Sequence, residues 1–103
     1  MKVLVHYKAQ EELDKLEPLA RKRFATVVDD LKRQKKLPST EYRKMSGPKG
    51  LLEMRVKAIS GIYRGLCGKI DQDLYAVVFF QKKTAKTPLR QIRLALKRLN
   101  ELR

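Results

Sequence analysis

Residues 51 to 80 carry the clearest alternation in the chain. In "LLEMRVKA" (51–58), Leu52, Met54, Val56 and Ala58 fall on one side and Glu53, Arg55 and Lys57 on the other, the pattern of a strand with one buried face. "ISG" turns the chain, "IYRGLCGKI" (62–70) gives a second strand, "DQD" turns it again, and "LYAVVFF" (74–80) gives a third. That third strand is apolar on both sides, which predicts a central strand or one covered on both faces. Near the start, "VLVHYK" (3–8) alternates as a short first strand.

Helical spacing fills most of the rest. "AQEELDKLE" predicts a short helix with Leu13 and Leu16 inward, and Pro18 ends it by disfavouring helical geometry at Glu17. Ala20, Phe24, Val27, Val28 and Leu31 then recur on one helical face, while Arg21, Lys22, Arg23, Asp29, Asp30, Lys32 and Arg33 take the wet side. The two helices form a hairpin at the back of the domain. "RQKKLPSTEYRKMSGPKG" (33–50) loses periodicity and carries two prolines and two glycines, so it predicts a long loop. "TPLRQIRLALKRLNELR" closes the chain as a basic helix, with Thr87 as N-cap, Pro88 at the first helical position and Leu89, Ile92, Leu96 and Leu99 as its apolar stripe. Arg90, Arg93, Lys97, Arg98 and Arg103 surround that stripe. The expected fold is α+β: a small antiparallel β-sheet with an N-terminal helical hairpin packed on it and a C-terminal basic helix, one domain over residues 1–103.

Charge changes the picture from fold to partner. Lys plus Arg number 25 against 11 Asp plus Glu, a formal net charge of +14. Residues 1–42 hold 10 basic and 7 acidic side chains, residues 43–70 hold 7 and 1, and residues 82–103 hold 8 and 1. The excess sits in the C-terminal part and pulls toward a polyanion, either a nucleic acid or an acidic protein. The single cysteine, Cys67, cannot form an internal disulfide. Met1-Lys2-Val3 runs directly into a strand-like segment and no apolar run approaches eighteen residues, so a soluble cytoplasmic protein without membrane contact is expected.

Arg64 is the odd residue of its strand, because alternation puts it in the row of Ile62, Leu66 and Ile70. One reading packs its stem and leaves its head in water. The other sets it beside Arg55 across the strand pair, where two planar forks suit a phosphate.

"GLLEMRVKAISGIYRGL" and "LYAVVFFQKKTAKTPLRQIRLAL" resemble the RelE/HigB-like toxins of bacterial type II toxin–antitoxin systems. The subgroup concerned is phage-derived and carries "GL-x-E-x-R", "G-x-YR" and "F-x-KK-T-x-K-TP" before a basic helix. The resemblance covers residues 50 to 98, about half the chain. It implies helices on one face of a small antiparallel sheet and a positively charged concave site on the other. It also implies cleavage of messenger RNA, typically on the ribosome, without metal or other cofactor, and inhibition by an antitoxin encoded in an adjacent gene. The ribose 2′-hydroxyl would attack the neighbouring phosphate, so the protein must help remove that proton, stabilise the added charge and protonate the leaving 5′-oxygen.

On that resemblance Arg55, Arg64, Lys82 and Lys83 are the expected catalytic group, and Lys44, Lys49, Tyr63, Phe80, Thr84, Lys86 and Arg90 the expected RNA contacts. His6, the only histidine, lies far from the motifs and is expected on a strand surface. A lysine at its reference pKa is deprotonated in only about one molecule in 2,500 at pH 7, so a lysine base needs like-charged neighbours or burial. Lys82, Lys83 and Lys86 meet the first condition in sequence. Adjacent strand residues point to opposite faces, so Lys82 and Lys83 share a site only if the strand ends first. Thr84 and Thr87 serve either a phosphate or the turn and the helix cap, and Tyr63 and Phe80 either stack on a base or pack in the core. Arg43, Lys44 and Lys49 in the long loop contact RNA or simply face solvent. Two other functions fit the same charge: a ParE-like toxin acting on another target such as gyrase, and a non-catalytic basic RNA-binding protein.

Overall fold

The computed structural model describes residues 1–47 and 50–103. Strand β1 (Val3–Val5), helices α1 (Tyr7–Asp14) and α2 (Pro18–Lys32), strands β2 (Tyr42–Lys44), β3 (Leu51–Ala58), β4 (Gly61–Ile70) and β5 (Asp73–Gln81), and helix α3 (Leu89–Leu102) follow one another along the chain. They build one sheet in the order β1-β5-β4-β3-β2. The α+β class holds, but the sheet is mixed. β2 to β5 pair antiparallel, while β1 lies parallel to β5, with Val3 opposite Leu74 and Val5 opposite Ala76. The long connection between them, through α1, α2 and strands β2 to β4, permits that direction, which a tight hairpin does not. β2 falls inside the expected loop and pairs Arg43 with Glu53; three residues are too few to show a period in sequence.

Helices cover both faces rather than one. Ala9 of α1 and Ala20, Phe24, Val27 and Leu31 of α2 pack on Met54, Val56, Cys67, Ala76 and Phe79, with Phe24 and Phe79 edge to face at 4.9 Å. On the opposite face Ala95 and Leu99 of α3 meet Leu51, Leu66, Val77 and Val78. This double cover explains the two-sided apolar pattern of β5. The apolar stripe of α3 is displaced from its expected line: Leu89 is 58% and Leu96 41% exposed, while Ala95 is buried and Arg98, expected among the surface charges, is buried too. Gly68 lets the helix sit down, since a Cβ there would collide with Leu99.

A bulge in β5 has a consequence at its edge. Leu66 pairs with Val78 and Cys67 with Ala76, so Val77 is the extra residue, and Val77 and Val78 both belong to the α3 side. β1 reaches only as far as Ala76, whose carbonyl takes the His6 N–H. Beyond it, the Phe79 N–H donates to Glu12 Oε1 at 3.1 Å and the Val77 carbonyl accepts from Arg98 Nη1 at 2.8 Å. Arg98 Nη1 also lies 3.0 Å from Glu12 Oε1, so α1 and α3 close the open strand edge together.

Glu17, just before α2, fixes the β3–β4 turn. Its carboxylate accepts from the Ile59 and Ser60 N–H groups at 2.7 and 2.9 Å and from the Tyr63 hydroxyl at 2.8 Å. Hydrogen bonding from Ser60 first, then from Tyr63 and the Ile59 backbone, pulls that carboxyl down to about 2 against the opposing cost of desolvation. Gly61 ends the turn at φ +128°, a conformation suited to glycine.

Candidate nucleic-acid interface

α3 packs on β4 and β5 and leaves the β2–β3 side of the same face open. There β2, β3, β4 and the segment after β5 enclose a cleft of about 470 Å³, with Arg43, Lys44, Glu53, Arg64, Lys86 and Thr87 among its walls. Strand register creates this grouping. Arg43 lies opposite Glu53 across β2 and β3, and Arg55 lies directly opposite Arg64 across β3 and β4. All four share one face because alternation puts Glu53 and Arg55 on the same side of β3.

Glu53 is the centre of the arrangement, and its side chain is only 2% exposed. Its Oε1 receives Arg43 Nε and Arg55 Nη2, each at 3.3 Å, and its Oε2 lies 3.1 Å from Arg64 Nε. One carboxylate therefore faces three guanidiniums. Arg64 is as buried as Glu53 and is held at its far end too, with Nη1 donating to Thr87 Oγ1 at 2.6 Å and Nη2 to the Ala85 carbonyl at 3.1 Å. Burial lowers its pKa, an effect that Glu53 opposes and that Arg55 and Arg43 reinforce. The Nε–H of Arg55 and that of Arg64 make no hydrogen bond among the described residues, the latter because its 3.1 Å approach to Glu53 lacks alignment. Arg43 and Arg55 keep more freedom, with side chains 51% and 26% exposed.

The expected site residues divide among several places. Arg64, Lys44 and Lys86 line the cleft around Glu53. Phe80, Lys83, Thr84 and Arg90 line a shallower one of about 340 Å³ beside the start of α3. Arg55, although paired with Glu53, opens onto a third of about 440 Å³ beside Arg23, Thr26 and Lys57. β5 ends at Gln81, so Lys82 and Lys83 lie past the strand and its alternation no longer sets them on opposite faces. The Lys82 N–H still donates to the Ile62 carbonyl at 2.7 Å.

Other placements differ from expectation. Tyr63 is buried on the α2 side with its hydroxyl on Glu17, so it is not placed to stack on a base. Thr87 accepts at its Oγ1 from Arg64 and does not cap α3; Pro88 holds the N-cap position and Leu89 starts the helix. Thr84 bonds the Lys86 carbonyl at 2.6 Å, a turn contact. His6 is buried rather than on a strand surface, and its Nδ1 caps α1 by accepting the Lys8 N–H at 3.1 Å. Arg64 is not a free fork. Lys49 lies outside the described residues.

Glu53 is the residue that sequence reasoning passed over. It was legible as the one acid among seven bases in residues 43–70, on the strand face that also carries Arg55. Burial pushes the Cys67 thiol up, which suits packing rather than attack. Among the described residues no cluster of three His, Cys, Asp or Glu side chains could hold a metal ion, and no helix is long and apolar enough to cross a membrane.

No curated protein matches the chain. The family described as "Phage derived protein Gp49-like" matches it over residues 11–100, from α1 into the last turns of α3. With nearly the whole fold inside that match, the chain belongs to the phage-derived Gp49-like family, a toxin-like family of the RelE/HigB type.

Proposed function

We propose that the chain is the toxin of a type II toxin–antitoxin pair and acts in the cytoplasm as a metal-independent endonuclease on messenger RNA engaged by the ribosome. The observation that carries this reading is the surplus of cation at the Glu53 cleft, where three guanidiniums share one carboxylate and Lys44 and Lys86 stand on the walls. Such a site attracts a phosphodiester and stabilises the charge that builds on it as the 2′-hydroxyl attacks. Arg43 would face the phosphate, with Arg55 adding charge from behind Glu53, while Arg64 holds the segment that presents Lys86. Proton transfer falls to the lysines after β5, with Lys86 on the cleft wall and Lys82 and Lys83 close to it in sequence. Phe80, partly exposed beside Lys83, offers a surface on which a base can stack.

A partner encoded next to this gene would neutralise the toxin, with opposite charge speeding association and apolar anchors holding it. Leu89 and Leu96, exposed between the basic residues of α3, are suitable anchors. The test is brief expression followed by mapping of RNA ends, comparing the parent with a variant in which Lys82, Lys83 and Lys86 are all alanine. Cuts that appear with the parent and fall by about 10²–10³-fold in the folded variant support the proposal. Growth arrest by a folded parent without RNA cuts would replace it with action on another target such as gyrase. RNA binding without cuts or arrest would leave a non-catalytic binding protein.

A further inference from the structure

The Glu53 cluster has more cation than its own carboxylate can satisfy. Three positive charges face one negative charge. Here Oε1 is divided between Arg43 and Arg55 at 3.3 Å each, longer than the roughly 2.7–2.9 Å of a strong charge-assisted bond. Arg64 is different, since Thr87 and Ala85 fix its two Nη atoms and its side chain is sealed from solvent. Two of the three guanidiniums are therefore loosely held and reachable, and the third is not. The cleft that contains Glu53 opens between Arg43, Lys44 and Lys86, so an anion entering it meets Arg43, whose Nε Glu53 now occupies, while Arg55 opens onto the neighbouring cavity.

We propose that Glu53 is a built-in counter-ion that fills, in the RNA-free protein, the place of a backbone phosphate, and that RNA binding transfers Arg43 from Glu53 to the phosphodiester while Arg64 stays fixed. Glu53 is a positioning residue on this account. It holds Arg43 and Arg55 side by side where they would otherwise repel each other, and it competes with RNA for Arg43. The inference rests on the RNA-directed reading above, but it concerns binding and not cleavage.

The test uses a short 2′-O-methyl RNA, which lacks the attacking hydroxyl, so its outcome is independent of whether the chain cuts. Glu53→Gln keeps the shape and removes the competing charge. Its affinity for this RNA is expected to rise about fivefold, the weight of one unit charge a few ångströms away in a watery cleft. Added inorganic phosphate should raise the melting temperature of Glu53→Gln more than that of the parent, because no carboxylate then repels the ion or neutralises its donors. An affinity that falls or stays level in folded Glu53→Gln, or equal phosphate stabilisation of both proteins, overturns the proposal.

A second measurement needs no variant. In nitrogen-resolved NMR of the parent, the Nε–H signal of Arg43 should move as the same RNA is added, and that of Arg64 should stay in place. A stationary Arg43 signal, or an Arg64 signal moving with it, would contradict the exchange. Failure to cut ordinary RNA would remove the endonuclease reading alone.

Discussion

Two carboxylates of this protein meet buried arginine, and the two sites are built differently. At the edge of β5, Glu12 meets one guanidinium, Arg98, and the remaining bonds of both go to the Phe79 N–H and the Val77 carbonyl. Charge is balanced and the backbone groups exposed by the bulge are satisfied. On the β2–β3 side, Glu53 meets three guanidiniums, two of them partly in solvent, in the wall of an open cleft. A structural ion pair needs no excess of one sign. Surplus cation at an opening costs self-repulsion, and that cost is recovered only when an anion arrives.

The strongest way to break the comparison is to remove Arg98. Arg98→Met leaves Glu12 without its ion partner and the Val77 carbonyl without its donor, for an expected loss of about 3–5 kcal/mol in urea unfolding. RNA affinity should not change in the fraction that remains folded. Arg64→Met comes next, with an expected loss of about 2–4 kcal/mol, since Glu53, Thr87 and Ala85 all lose a partner. Here RNA affinity should fall as well, because the segment carrying Lys86 is released from the sheet. If Arg98→Met weakens RNA binding as much as Arg64→Met does, the division between a structural and a functional pair is wrong.

Much of this architecture was legible in the sequence. β3, β4 and β5 follow from alternation and turn residues almost to the residue, because each buries one or two apolar rows. β2 was not legible, since it has three residues and is defined by its pairing with β3 rather than by a pattern of its own. The displacement of α3 was hidden because Leu89 and Leu96 fit a helical stripe as well as Ala95 does; Gly68 and the bulge at Val77, both features of the sheet, decide which face turns inward. At the site, one of two readings of Arg64 set it beside Arg55, and the strand register pairs them. The fate of their guanidiniums depended on Glu53, Thr87 and Ala85, whose meeting is a matter of tertiary structure.

Glu17 sharpens the comparison from a third side, as a carboxylate satisfied by N–H and hydroxyl donors instead of arginine. Its pKa of about 2 lies below the ordinary carboxylate value of 4.5. It therefore contributes stability that is fully present above about pH 4.5 and is lost as pH falls toward 2. Denaturation midpoints measured from pH 6 to pH 2 should decline less steeply in Glu17→Gln than in the parent. Parallel curves would mean that the turn contacts do not favour the ionised form.

The central claim, that the Glu53 cleft is where a nucleic-acid phosphate sits, is tested most directly by the salt dependence of RNA binding. Each phosphate contact on a single strand contributes about 0.7 to the slope of log affinity against log salt. Replacing Arg43 and Lys86 together with glutamine should therefore lower that slope by about 1.4, while Lys32→Ala on the outer side of α2 leaves it unchanged. A double variant that stays folded and keeps the parental slope would place the phosphate elsewhere on the surface.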